Sequence, residues 1–137
     1  MSSTSTCAAF DYADLPVASY RAGENVLVAG STTGRLLFLK AGAVAVVRQG
    51  TEIATIDTPG AVFGEISALL NTPHTADVYA LRPTQFYVAD AGLLRFSAAA
   101  LSYVAAALAR RLDRANEVLV ASLETRESPT QRRRAPQ

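Results

Sequence analysis

The sequence contains very few of the residues on which disulfides, metal sites and catalytic triads depend. Among 137 residues there is one cysteine, Cys7, one histidine, His74, and no tryptophan. One cysteine excludes a disulfide framework within the chain and fits a reducing compartment. One histidine and one distant cysteine cannot form an ordinary zinc site. His74 also lies in no recognisable motif with an activated nucleophile. We therefore expect neither a metal site nor an enzyme.

Charge and hydropathy exclude two further classes of protein. Thirteen basic residues nearly balance twelve acidic ones, whereas proteins that bind nucleic acids or membrane surfaces normally carry a strong basic excess. No uncharged apolar run reaches the length of a membrane span, and the start MSSTSTCAAF lacks the form of a signal peptide. We therefore expect a cytoplasmic protein with no nucleic-acid or membrane partner.

Short apolar runs separated by turn residues fill residues 16–91. Half of the chain is apolar, which predicts one domain with a substantial core. The predicted strands span residues 25–29, 35–40, 43–48, 52–56, 76–80 and 85–89. Short strands at this spacing predict a closed β-sandwich or barrel.

After Asp90 the pattern becomes helical. Asp90 is suited to cap a short helix, and Ser97 a long helix that runs from residue 98 to about residue 123 without glycine or proline. A nearly heptad stripe follows this helix, formed by Leu101, Ala105, Leu108, Leu112, Ala115, Leu119 and Ser122. We expect its first half to pack on the β domain. For its second half, the same packing and a homodimer seam both stay open.

The ends of the chain are polar and lie outside the predicted domain. Residues 1–15 are predicted to be a flexible arm with a short helix near its end, and residues 124–137 a disordered tail. The domain itself spans residues 16–123, with its β part at about 20–89 and its C-terminal helices at about 90–123.

The segment PGAVFGEISALLNTPHTADV, residues 59–78, places Glu65 directly after Gly64 and the single histidine nine residues later. If a short helix spans residues 67–70, its free amides could bind a phosphate. A carboxylate there would repel a phosphate but suits a neutral hydroxyl, such as a ribose 2′-OH. From the residues alone, the simpler interpretation is favoured: Glu65 is a helix-start residue and His74 a turn residue.

The chain from about residue 20 to residue 112 resembles the cyclic-nucleotide-binding domain of protein kinase A regulatory subunits, cyclic-nucleotide-gated channels and the bacterial catabolite activator. The resemblance is carried by YRAGE at 20–24, LLFLKAGAVAVV at 36–47, and FGE and PHTADV at the two ends of the phosphate-binding cassette, residues 63–78. It implies a mainly β fold with flanking helices: a β-roll or jelly-roll-like barrel, a short cassette helix, and a long C-terminal helix acting as a lid.

The resemblance also implies a site for cAMP or cGMP, with no other cofactor and no metal. Glu65 would bind the ribose 2′-OH, and the backbone amides of Gly64, Ile66 and Ser67 the phosphate. Thr75 would contact the phosphate or the purine, and a lid residue near Val118 or Leu119 would close over the base. The implied site residues are Val46, Val62, Phe63, Gly64, Glu65, Ile66, Ser67, His74, Thr75 and Ala76.

The sequence departs from the family at His74, where an arginine is usual. Arginine is always charged and grips phosphate with several donors, whereas histidine titrates near pH 6.5. Losing one charge-assisted contact costs about 1.5–3 kcal/mol. We favour a stand-alone receptor with weaker, pH-dependent binding that signals to an unidentified downstream protein. The alternative is a degenerate fold that binds no nucleotide and serves as a dimerisation or interaction module.

Overall fold

The computed structural model describes residues 10–126, which form two compact units, residues 10–104 and residues 105–126. The first unit contains a 3-10 helix at Tyr12–Asp14, all eight strands, two short helices and the start of one long helix. The strands are β1 (Val17–Tyr20), β2 (Asn25–Leu27), β3 (Arg35–Ala41), β4 (Val44–Arg48), β5 (Thr51–Ile56), β6 (Val62–Phe63), β7 (Asp77–Ala80) and β8 (Thr84–Asp90). The helices are α1 (Glu65–Leu70), α2 (Leu93–Phe96) and α3 (Ala98–Arg126), and α3 crosses the boundary between the units.

The strands form two four-stranded antiparallel sheets, with orders β1-β8-β3-β6 and β2-β7-β4-β5. This confirms the predicted mainly β roll with a long C-terminal helix. The expectation of a closed barrel is wrong, because each sheet ends in edge strands. The six predicted strands are present, with ends shifted by at most two residues. The prediction missed β1 and β6.

The core of the first unit lies between the two sheets. Its buried apolar cluster takes Leu37, Leu39, Phe63 and Phe86 from one sheet and Val26, Leu27, Val44 and Val78 from the other. The rings of Phe63 and Phe86 meet edge to face, with centroids 5.7 Å apart. This contact fixes the end of β6, from which the chain turns into α1.

A second set of aromatic rings joins the start of the described chain to α3. This aromatic cluster consists of Phe10, Tyr12, Phe38, Tyr87 and Tyr103, with neighbouring ring centroids 5.3–6.1 Å apart. The Tyr103 hydroxyl also donates a hydrogen bond to the carbonyl of Gly60 (2.8 Å). The first turns of α3 are thereby attached to the turn that precedes β6.

The helices after β8 begin close to the predicted caps. Ser97 caps α3, because its Oγ accepts a hydrogen bond from the amide of Ala100 (3.0 Å). The Asp90 carboxylate accepts a hydrogen bond from the amide of Gly92 (2.7 Å), so it stabilises the turn before α2 rather than occupying the cap position of that helix.

On the first turns of α3, the buried face lies one residue away from the predicted stripe, so that part of the prediction is wrong. Ala100 and Val104 are fully buried and Tyr103 is half-buried, whereas Leu101 is 41% exposed. The Ser97 cap and the Tyr103 hydrogen bond fix which face turns inward. The helix continues to Arg126, three residues beyond its predicted end. Residues 1–9 and 127–137, with most of the predicted arm and tail, lie outside the described residues.

The second unit is a continuous helix in residues 105–126. Five of its large apolar side chains are exposed, whereas Leu108 is half-buried. The exposed ones are Leu112, Val118, Leu119, Val120 and Leu123.

Candidate functional site

Gly64 links β6 to α1 in a backbone conformation that side chains rarely adopt, with φ of +83°. A Cβ added there would lie 2.6 Å from the carbonyl oxygen of Arg35 and 3.8 Å from Cε1 of His74. Glycine at this position is therefore required by the packing of the fold itself.

The helix α1 begins at Glu65, two residues earlier than predicted, and ends at Leu70. Asn71, which follows it, has a left-handed backbone conformation. Glu65 and Ser67 are buried, with Glu65 only 4% exposed, whereas Ile66 is 41% exposed. The Gly64 turn thus places a carboxylate inside the protein at the start of a helix, where the partial positive charge of the first amides favours it.

His74 is also buried, at 7% exposure, and the loop between β2 and β3 holds it at three points. Its amide donates to the carbonyl of Ser31, and its own carbonyl accepts from the amide of Gly30, both at 2.8 Å. Its Nε2 lies 3.2 Å from the hydroxyl oxygen of Thr33, a hydrogen bond whose donor depends on the imidazole tautomer. The imidazole is thus fixed beside Gly64.

The same loop is attached to the start of β7. The carboxylate of Asp77 accepts a hydrogen bond from the amide of Ala29 (2.7 Å). This hydrogen bond and those to His74 hold residues 29–34 along one side of the candidate site. Thr33 was not among the predicted site residues. Its only signal in the sequence is the pair of glycines at the two ends of the loop GSTTG, residues 30–34.

Burial and a neighbouring charge act on the imidazole in opposite directions. Burial lowers the pKa of His74 below its ordinary value, and the nearby Glu65 carboxylate partly offsets this by raising it. Since the net shift is downward, the imidazole is mainly neutral at pH 7. The candidate site therefore pairs a carboxylate with an uncharged imidazole.

The structure brings together Gly64, Glu65 and His74, three of the predicted site residues, and adds Thr33. The other predicted residues are distributed differently. Val62 is fully buried, Phe63 belongs to the core, Val46 and Ala76 are half-buried, and Thr75 is exposed. Val118 and Leu119 lie in the second unit. The roles of all these residues toward a ligand stay predictions.

In residues 10–126, no three or more His, Cys, Asp or Glu side chains are grouped as a metal site would require. Within the same range, no helix combines the length and the apolar character that crossing a membrane demands.

The match to a protein family decides what kind of domain this is. The model of the cyclic nucleotide-binding domain matches residues 17–96, which is more than half of the chain. The chain belongs to the cyclic nucleotide-binding domain family. The predicted resemblance is thereby confirmed. Domains of this family are typically regulatory rather than catalytic.

Solved structures of cyclic nucleotide-binding proteins share this fold. The Thermus thermophilus catabolite activator protein is 25% identical, with a TM-score of 0.66 over 90% of this chain and 60% of its own. The cAMP-bound PfPKA-R (141–441) is 23% identical, with a TM-score of 0.64 over 78% of this chain and 36% of its own.

A third structure is the regulatory subunit of a cAMP-independent protein kinase A from Trypanosoma cruzi, bound to guanosine. It is 22% identical, with a TM-score of 0.57 over 61% of this chain and 30% of its own. This chain thus spans about a third of the length of the two kinase regulatory chains. No curated protein matches the sequence.

Proposed function

We propose that this chain is a cytoplasmic receptor for a cyclic nucleotide, cAMP or cGMP, and that the ligand's ribose is bound by Glu65. The observation that carries the proposal is the buried Glu65 carboxylate, placed by the Gly64 turn at the start of α1. A carboxylate accepts hydrogen bonds, and a ribose 2′-OH is a suitable donor to it. Membership of the cyclic nucleotide-binding family supports this role.

The cyclic phosphate would lie at the start of α1. The amide of Ala68 donates to the carbonyl of Gly64 (3.1 Å), so the amides of Ile66 and Ser67 precede the first hydrogen bond of this type in the helix. Such amides are suited to an anion. His74 would stand where the family usually has arginine, and it supplies a positive charge only when it is protonated.

Signalling would use the connection between the cassette and α3. The turn at Gly60 leads through β6 to Gly64, and the same turn accepts the hydrogen bond from Tyr103. A ligand that binds one arrangement of this turn better than another would shift the population of α3 positions. A downstream protein that recognises α3 would then sense the ligand.

Titration calorimetry with cAMP and cGMP tests the proposal, and Glu65→Gln is the informative variant. It removes the acceptor charge, and we expect affinity to fall about tenfold or more, as for loss of a hydrogen bond to a charged group. The matched control is Glu52→Gln, the same change at an exposed position on β5. Absence of both heat and thermal shift with millimolar cyclic nucleotide would exclude the function.

A second candidate function is a dimerisation module that binds no nucleotide. It is favoured by the exposed Leu112 and Leu119 of the second unit, which share the nearly heptad stripe. Light scattering distinguishes the two functions. A tight dimer that is indifferent to nucleotide and dissociates in the double variant Leu112→Ser, Leu119→Ser would support the module.

A further inference from the structure

Phe96 ends α2 and projects into solvent, with 87% of its surface exposed. Among the large apolar side chains of residues 10–126, none is more exposed. Leu94, two residues earlier, is buried, and two residues of an α-helix correspond to a rotation of about 200°. The helix therefore packs inward through Leu94 and directs Phe96 outward. The amide of Ser97 donates to the carbonyl of Leu93 (3.0 Å) and holds this short helix in place.

An apolar groove, here named the β8–α2 groove, lies beside this ring and within the first unit. It has a volume of about 480 Å³ and is lined by the segment before β1, the end of β8 and α2. A cavity of about 150 Å³ already accepts benzene, so the groove has room for an aromatic side chain. Its apolar lining consists of Leu15, Pro16, Val88, Ala89, Leu93 and Phe96.

Backbone hydrogen bonds fix the walls of the β8–α2 groove. The amide of Val88 donates to the carbonyl of Pro16 (2.8 Å), which attaches the segment before β1 to β8. The Asp90 carboxylate accepts from the amide of Gly92 (2.7 Å) and holds the turn between β8 and α2. A Cβ added at Gly92 would lie 3.9 Å from Cε2 of Phe96, so the ring stands beside this turn. Groove and ring are thus preformed, and filling the groove requires little ordering of the chain.

Charges of opposite sign accompany the ring and the groove. Arg95, the neighbour of Phe96 in the chain, is exposed. Asp90 lines the groove and is also exposed. A molecule that fills this groove and surrounds this ring would therefore match the patch best if it placed a cation near Asp90 and an anion near Arg95. Such charge complementarity fixes the orientation of two surfaces and excludes wrong partners.

A second copy of this chain supplies all of these complements at once. When two such patches meet about a two-fold axis, each ring faces the groove of the other copy, and each Arg95 approaches the other copy's Asp90. The segments outside the described residues do not supply a comparable occupant. Residues 1–9 contain one large apolar side chain, Met1, and residues 127–137 contain none.

We propose that the β8–α2 groove is an interface between two copies of this chain, in which the Phe96 ring of each copy enters the groove of the other. This interface is separate from the stripe on the second unit, and it does not depend on nucleotide binding. Eight residues line the groove, whereas a stable interface involves about 20–30 residues on each side. We therefore expect a weak dimer, with a Kd of about 10–100 μM.

The experiment is sedimentation velocity of the whole chain over a concentration series from about 1 μM to about 1 mM, which brackets the expected Kd. Phe96→Ser should raise the Kd about tenfold or more, because aromatic side chains that fill a pocket contribute most to an interface. The matched control is Ile53→Ser. It removes an apolar side chain that is 58% exposed on β5, in the other sheet, and should leave the Kd unchanged.

Two charge reversals test the contact between Arg95 and Asp90. Arg95→Glu and Asp90→Lys should each weaken self-association about tenfold or more, because like charges then meet at both ends of the interface. An equimolar mixture of the two variants should recover the dimer, since both contacts of the mixed dimer again join opposite charges. A change in the stability of either chain cannot produce this recovery. Circular dichroism establishes that each variant is folded, and the mixture decides the proposal even if Phe96→Ser is not.

The double variant Leu112→Ser, Leu119→Ser separates this interface from the stripe on the second unit, and it should still dimerise. If it is monomeric, the interface lies on α3 and the inference is wrong. The inference is also wrong if the wild type stays monomeric up to about 1 mM, well above the expected Kd. Equal effects of Phe96→Ser and Ile53→Ser would overturn it as well. None of these outcomes bears on the binding of a cyclic nucleotide, which calorimetry tests separately.

Discussion

The hydroxyl of Tyr103, on the first turns of α3, donates a hydrogen bond to the carbonyl of Gly60, in the turn before β6. A Cβ at Gly60 would lie 2.7 Å from the hydroxyls of both Tyr103 and Tyr12. The turn itself is attached to β3, because Gly60 donates to Leu39 and Leu39 donates to Ala61, both at 2.8 Å. A side chain of α3 is therefore linked to the turn that leads through β6 to Gly64 and Glu65.

The variant Tyr103→Phe tests this link by removing the hydroxyl and keeping the ring contacts. We expect the free energy of unfolding to fall by about 0.5–1.5 kcal/mol, the usual contribution of one hydrogen bond. Amide exchange should become faster in residues 58–63 and 98–104. The matched control is Tyr20→Phe on β1, where a half-buried ring packs edge-on against Phe86. Equal losses in the two variants would contradict a specific role for the Tyr103 hydroxyl.

Gly64 and Gly50 offer a second matched comparison, because their backbones are nearly alike, with φ of +83° and +79°. An alanine at either position adopts the unfavourable left-handed conformation, which costs about 1–2 kcal/mol. At Gly64 the new Cβ also collides with the carbonyl of Arg35, whereas nothing lies within 4 Å of a Cβ at Gly50. Urea unfolding should therefore show the larger loss for Gly64→Ala. Similar losses would mean that the Arg35 carbonyl moves aside easily.

Much of the β architecture could be predicted because it follows from local patterns. Long strands such as β3 and β8 are apolar runs bounded by turn residues, and the sequence shows both. The strand β6 has only two residues, and it exists because Phe63 pairs with Leu37 and Val62 with Phe38. A pairing of that kind leaves no periodicity in the sequence, and this strand could not be predicted.

Part of the candidate site could also be predicted, because it follows from a local sequence pattern. The position of Glu65 after a glycine turn is a local motif. The partner of His74, by contrast, is Thr33, which lies 41 residues earlier in the chain. The carbonyl that requires glycine at position 64 belongs to Arg35, also distant in sequence. Contacts of this range are set by how the strands pack, and a single sequence gives no signal for them.

Thr33→Val tests whether the loop hydroxyl positions His74. The change keeps the shape of the side chain and removes the hydrogen bond to Nε2, so we expect the free energy of unfolding to fall by about 0.5–1.5 kcal/mol. Thr32→Val is the control, since Thr32 is an exposed neighbour in the same loop. His74 is the only histidine, so its ring signals in proton NMR spectra are assigned without ambiguity. A positioning role requires these signals to shift in Thr33→Val and to stay in place in Thr32→Val.

The stability of the protein should depend on pH through His74. Burial lowers the pKa of this imidazole in the folded state, while in the unfolded chain it titrates near its ordinary value of about 6.5. As pH falls below that value, His74 becomes protonated in the unfolded chain while it is still mainly neutral in the folded protein. The free energy of unfolding therefore decreases. The decrease is complete below the pKa of the folded state.

NMR titration of the single histidine measures this pKa directly, and we expect a midpoint below 6.5. Glu65→Gln removes the charge that raises the pKa, so its midpoint should be lower still. In His74→Gln the same component of the pH dependence is absent, and the advantage of the wild type over this variant should shrink between pH about 7.5 and about 5.5. A midpoint at or above 6.5, or parallel pH curves for the two proteins, would show that desolvation does not dominate at His74.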